Sequence, residues 1–179
     1  MKYILCIGLV FTLSNITMKA QNSNIDNSVV QELNLERYLG TWYEIARYDH
    51  SFERELEGVT ATYSMREDGK IKVVNSGYKG SLEGKKSTAE GKAKIPDPSV
   101  PSKLKVSFFW IFYGDYFVME LDENYRWAVI GSKTDKYLWI LSRTPQIEPS
   151  IYKDLLNRLT NRGYDVNKLI EVKHKPEKS

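Results

Sequence analysis

Cysteine is all but missing from this chain of 179 residues: the one present, Cys6, falls in an N-terminal stretch set apart from the rest. Histidine is nearly as scarce, with only His50 and His174. That scarcity excludes a disulfide scaffold, a thiol enzyme and the Cys/His clusters of structural zinc sites. Neither a G-x-S-x-G nucleophile turn nor an H-E-x-x-H metal pair occurs. The apolar run Tyr3–Leu13 is well short of a membrane span. Internal repeats and low-complexity tracts are absent as well.

That run instead reads as the core of a secretory signal over residues 1–20. Lys2 supplies a positive start, and Met18-Lys19-Ala20 precedes a polar stretch, with Ala20 the expected last residue removed. Cys6 lies inside the run rather than at its end, so a lipid anchor is not supported. Removal of the signal takes Lys2 and Lys19, leaving 24 of 26 bases against 23 acids and lowering the formal charge from +3 to +1. A near-neutral chain gives no reason to expect a nucleic-acid partner. What remains is enough for one domain with a substantial core. An Asn/Ser-rich leader, 21–34, is expected to be loosely ordered, and 173–179 is a charged tail.

Between them, short alternating runs separated by turn signals point to an all-β sandwich or barrel. The runs are 42–48, 59–66, 70–78, 87–95, 104–109, 116–121, 125–132 and 136–143. Asp68-Gly69 is a hairpin signal, because both central turn positions need positive φ. Three prolines in 96–101 cannot donate to a ladder. The last run is apolar on both parities over 137–141, so its outer side needs a cover. Pro149 suits a first helical turn, Ile151, Leu155, Leu156 and Leu159 follow helical spacing, and Gly163 suits a left-handed cap. A helix over about 149–162 supplies that cover. Eight sequential strands and one late helix favour an eight-stranded antiparallel up-and-down β-barrel over an immunoglobulin-like sandwich.

Connections alternate between the ends of such a barrel. Trp42, the turns at 67–69, 96–101 and 122–124, and Arg143 share a tight end. The longer segments 49–58, 78–86, 110–115 and 132–136 form the other, where binding is expected. Closure brings Arg143 within reach of the Trp42 indole, a cation–π contact worth about 0.5–2 kcal/mol. Gly40-x-Trp42, Leu121-Asp122 with Tyr125, and Arg143 resemble the three lipocalin signatures. The strings YLGTWYEIARYDHSFERELEGVTATYS, KVSFFWIFYGDY and YLWILSRTP resemble the bacterial, outer-membrane branch of that family, in unbroken order over about residues 34–172. The resemblance implies a barrel domain over 35–172 closed by Gly40, Trp42, Asp122, Tyr125 and Arg143. It further implies a lipid cavity, a periplasmic or outer-membrane location and, in some members, a homodimer. Typical bacterial members carry a cysteine at the cleavage site, where this chain has Ala20-Gln21.

Many positions on the expected inner parity are small. Ala89, Gly91 and Ala93 would make a poorly filled wall without a ligand, which favours a cavity over a packed core. The expected ligand-binding set is Glu44, Tyr63, Val73, Asn75, Val106, Phe108, Tyr116, Trp139 and Leu141, mostly apolar with a few polar groups. Ala46, Tyr48 and His50 are expected to continue the inner face of the first strand, and Glu44 and Glu120 to face each other inside. Burial of Glu44 would raise its pKa. The run Phe109–Tyr113 is too apolar for an ordinary turn; Trp110 and Phe112 either meet a membrane or partner barrel, or fold over the mouth as a lid. The function expected is non-catalytic binding, with no cofactor: storage or transport of fatty acids or (lyso)phospholipids, in membrane maintenance under stress. The alternative is an enzyme or a haem-type carrier on a small apolar ligand, with His50 at the rim as the haem ligand.

Overall fold

The computed structural model describes residues 25–109 and 111–176, so the signal with Cys6 and the expected contact residue Trp110 lie outside the described residues. Asn34 caps a single helical turn, α1 (Leu35–Tyr38), its side chain accepting from the Arg37 N–H at 3.0 Å. Eight strands follow: β1 (Gly40–Tyr48), β2 (Leu56–Met65), β3 (Ile71–Lys79), β4 (Lys86–Lys94), β5 (Lys103–Phe109), β6 (Phe112–Leu121), β7 (Trp127–Gly131) and β8 (Leu138–Ser142). Each pairs antiparallel with the next, and β8 returns to β1 to close the barrel. A helix, α2 (Pro149–Asn161), and a ninth strand, β9 (Leu169–Glu171), complete the chain order. The segment read as a loop over 110–115 is shorter than expected, because β6 already begins at Phe112.

The core has two layers. Inside the barrel, Trp42, Tyr63, Val73, Ala93, Leu104, Val118, Ile130 and Leu141 form one cluster. Outside it, Leu155 and Leu159 of α2 lie on Met119, Val129, Leu138 and Ile140. β7 and β8 feed both layers from alternate residues, which is why their sequences are apolar on both parities. Gly163, at φ +84°, ends the helix, and the Tyr164 N–H returns to the Leu159 carbonyl at 3.0 Å.

Bulges interrupt four strands, and each shifts the inward parity of the residues beyond it. In β1 the irregularity falls between Glu44 and Ala46. Ala46 and Tyr48, expected inside, therefore lie on the outer layer under α2, while Arg47 turns into the barrel. In β6 the shift between Val118 and Glu120 turns Glu120 outward. Its carboxylate accepts from Arg162 Nε at 2.9 Å and Arg158 Nη1 at 3.3 Å, so it does not face Glu44. In β5 the shift between Val106 and Phe109 buries Ser107 and leaves Phe108 39% exposed.

The leader is not loose where it is described. The Val30 N–H donates to the Val118 carbonyl, Ser102 Oγ donates to the Val30 carbonyl at 2.6 Å, and Leu33 is buried. The C-terminal tail is also docked. β9 runs beside the half of β1 that has left β2. The Gly58 N–H then donates to the Lys173 carbonyl at 2.7 Å, bridging to β2. His174 Nε2 meets the Glu44 carbonyl at 2.7 Å.

Candidate functional site

The base of the barrel is sealed. The Arg143 guanidinium lies 3.8 Å over the Trp42 ring. Its Nη1 donates to the Thr41 carbonyl at 2.9 Å, Nη2 to Arg37 at 2.7 Å, and Nε to Tyr125 at 3.3 Å. Trp42 Nε1 donates to the Tyr38 carbonyl at 2.8 Å. Gly40 sits at φ +92°, and a β-carbon there would lie 3.3 Å from Arg143 Nη1, so the signature glycine makes room for the signature arginine. Asp122 organises the neighbouring turn, accepting from the Asn124 and Arg126 amides. Tyr125 stands at φ +59°, and its hydroxyl accepts from the Asn34 N–H at 2.8 Å.

Above this floor the Tyr116 hydroxyl sits between those of Tyr38 (2.7 Å) and Tyr63 (2.8 Å). Burial pushes all three phenols up, so they remain neutral groups able to donate and accept. Val73 and Leu141 are buried in the wall beside them, and Ala61, Val106 and Trp139 point the same way yet are only partly covered.

The upper lumen holds a polar cluster that the sequence did not announce. Segment 49–55, between β1 and β2, folds back over the mouth and drives His50 and Glu53 inward, both buried. Glu53 Oε1 accepts from Asn75 Nδ2 at 3.1 Å, and Oε2 from Trp139 Nε1 at 3.2 Å. His50 Nε2 lies 3.1 Å from Glu53 Oε2 but off the line of a directed hydrogen bond. Arg47 Nη1 donates to Glu44 Oε1 at 2.8 Å, and Nη2 to the Glu53 carbonyl at 2.9 Å. Burial, reinforced by the charge of Glu53, pushes the Glu44 carboxyl well above the usual range. Burial also pushes Glu53 up, but the approach of His50 and the Trp139 N–H outweigh it and carry that carboxyl lower. Four buried atoms around this lumen lack a directed partner among the described residues besides His50 Nε2: Arg47 Nε, His50 Nδ1, Asn75 Oδ1 and Ser107 Oγ.

Two features mark the wall on this side, where the Ser107 carbonyl and the Phe108 ring approach Gly91 closely. β4 and β5 pair only over Lys92–Lys94, so Lys86–Gly91, the half of β4 nearest the mouth, has no β5 partner. A recess of about 170 Å³ lies at that parting, beside Gly91, Ser107 and Phe108. Next to it the tip of the β5–β6 hairpin presents Phe109, Ile111 and Phe112, 70–75% exposed. Phe109, Ile111 and Phe112 do not cover the mouth; segment 49–55 does, with Phe52 stacked 3.9 Å from His50. A larger recess of about 350 Å³ lies outside the barrel, between Tyr43, Tyr78, Leu82 and His174.

The structure thus brings Glu44, Tyr63, Val73, Asn75, Val106, Tyr116, Trp139 and Leu141 to the lumen and leaves Phe108 at its edge. His50, expected at the rim, is inside. Arg47 and Glu53 were missed: strict alternation put Arg47 outside, and Glu53 belongs to a connecting segment. The available signal was spacing, since Glu44/Arg47 and His50/Glu53 are both pairs three residues apart. No group of three or more His, Cys, Asp or Glu suited to a metal occurs among the described residues.

Residues 33–174 match the model of the lipocalin-like domain. The chain is 51% identical over 146 residues to the outer membrane lipoprotein Blc of Citrobacter freundii, covering 82% of each. It is 42% identical over 151 residues to temperature-induced lipocalin-1 of Arabidopsis thaliana, covering 79% of each. Among solved structures, insecticyanin of Manduca sexta superposes with a TM-score of 0.66 at 23% identity, over 84% of this chain and 85% of that one. Lobster apocrustacyanin A1 superposes at 0.63 and 18%, over 79% and 80%; at these identities the likeness concerns the fold. On the family match and the identity to Blc, the chain belongs to the lipocalin family, in its bacterial outer-membrane branch.

Proposed function

We propose that this protein is a non-catalytic carrier at the cell envelope, storing or transporting a fatty acid or (lyso)phospholipid within its barrel. One observation carries the reading: a single lumen combines a partly uncovered apolar wall with buried polar atoms that find no partner in the described chain. That is the make-up of a small-molecule site, and buried polar groups are otherwise almost always bonded. An acyl chain along Val73, Val106 and Leu141 gains about 0.8 kcal/mol per buried methylene. The parting of β4 from β5 offers the chain a way in, beside a tip whose exposed phenyl rings suit a lipid surface. A role in membrane maintenance under stress draws on the names of an outer membrane lipoprotein and a temperature-induced lipocalin among the relatives. Against catalysis, both Glu53 oxygens are already engaged; against a haem role, His50 is hemmed in by Phe52, Trp139 and Tyr137.

Titration with oleate and with a lysophosphatidylcholine, followed by Trp139 fluorescence and native mass spectrometry, tests the proposal. Saturable quenching with one lipid per barrel is expected. Absence of quenching by either lipid, or a co-purified pigment absorbing in the haem band, overturns it.

A further inference from the structure

The unpartnered atoms of the upper lumen have definite chemistry. Glu53 Oε1 can only accept, so the Asn75 amide must present Nδ2 to it, and Oδ1 is the atom turned away. Two of the three Arg47 nitrogens are committed, Nη1 to Glu44 and Nη2 to backbone carbonyls, which leaves the Nε–H. The His50 ring adds a nitrogen that can serve either way. These groups surround one residue: Asn75 and His50 approach the Glu53 carboxylate, and Arg47 holds the Glu53 carbonyl. Around Glu53, beside the His50 ring, the cluster therefore leaves one donor, the Arg47 Nε–H, and one acceptor, Asn75 Oδ1, unmet.

Charge narrows the choice further. Arg47 Nη1 is already taken by Glu44 and Nη2 by the Glu53 backbone carbonyl. A carboxylate or phosphate placed here accepts from Arg47 Nε–H but has nothing to give Asn75 Oδ1, and it adds a negative charge next to Glu53. An ester or ether oxygen has the same deficit of a donor. A hydroxyl supplies both functions, accepting from Arg47 and donating to Asn75. We infer that this cluster is a head-group subsite for a lipid bearing a free hydroxyl, with a neutral monoacylglycerol as its simplest ligand, selected over a bare carboxylate. The inference rests on the carrier reading, since the acyl chain must occupy the lumen below.

Chain-matched probes test it on the unmodified protein at about pH 8, read by Trp139 quenching: monooleoylglycerol, its dimethyl ether, oleate, and oleoyl lysophosphatidic acid, which keeps a hydroxyl but adds a phosphate. Monooleoylglycerol is expected to bind about tenfold tighter than the ether and oleate, with the lysophosphatidic acid in between. Asn75→Ala is expected to shrink the gap between monooleoylglycerol and its ether to about twofold. Equal affinity for those two in the unmodified protein, or tighter binding of either anion, overturns the subsite and leaves the carrier standing. Failure of all four probes to bind overturns the carrier reading itself.

Discussion

Two arginines mark the two ends of the same barrel, and they are treated differently. Arg143 at the base has a partner for each of its three nitrogens and an indole beneath its plane. Arg47 near the mouth is more closely shut away from solvent than the half-buried Arg143, yet its Nε–H meets no partner in the described chain. The tryptophans repeat the contrast: Trp42 is wholly buried, whereas Trp139 is partly open and tied only through Glu53. The base spends its polar groups on closure, and the mouth keeps some unspent. Mutations at the base should therefore read out as stability, and those at the mouth as ligand choice.

The sharpest way to break that comparison is to cut one tryptophan at each end. Trp42→Ala removes the largest fully buried side chain and leaves Arg143 without its platform. A loss of about 3–5 kcal/mol is expected in chemical denaturation. Trp139→Phe keeps a ring and removes one N–H donor from Glu53, which retains Asn75, so about 0.5–1.5 kcal/mol is expected. Similar losses at the two sites would mean that the mouth is as structural as the base.

The same divide sets what the sequence disclosed. The base was legible because its work is local and typed: a glycine for a positive φ, an indole for a guanidinium, an aspartate for a turn. The two-sided burial of Leu138–Leu141 and the helical spacing of Leu155 and Leu159 were legible for a similar reason, since period reports face. The mouth was not. Bulges after Glu44, Val106 and Val118 reverse a parity that alternation can only extrapolate, which misplaced Ala46, Arg47, Phe108 and Glu120. Glu53 entered the lumen because its segment folds back, and nothing in a polar connecting stretch says which carboxylate will be buried.

A smaller effect separates the ends through pH. Glu44 has its folded carboxyl raised above 4.5, mainly by burial and next by Glu53. The folded state thus holds that proton more tightly than the unfolded one. Its contribution is fully present below about pH 4.5 and is lost as pH rises toward the folded value. Glu44→Gln keeps an acceptor for Arg47 and carries no ionisable proton. Between about pH 5 and pH 9 the variant's Tm should gain on that of the unmodified protein. A Tm difference that stays flat across the range would place Glu44's partner interactions, rather than its burial, in control.

The least change in stability is expected at the hairpin tip, where the mouth meets the outside. Phe109 and Phe112 are 75% and 71% exposed, so replacing both with Ser removes little folded-state packing. Unfolding free energy should move by about 0.5 kcal/mol or less. Burying each ring in a lipid surface is worth about 1.5–3 kcal/mol, so affinity for phosphatidylglycerol vesicles should fall by more than about tenfold. Sedimentation of the same variant separates the other occupant of the tip. A dimer that dissociates while vesicle binding is unchanged would assign the phenyl rings to a second barrel. Loss of vesicle binding at constant mass and stability would set the tip apart from both ends of the barrel, as a surface whose apolar groups serve neither closure nor ligand choice.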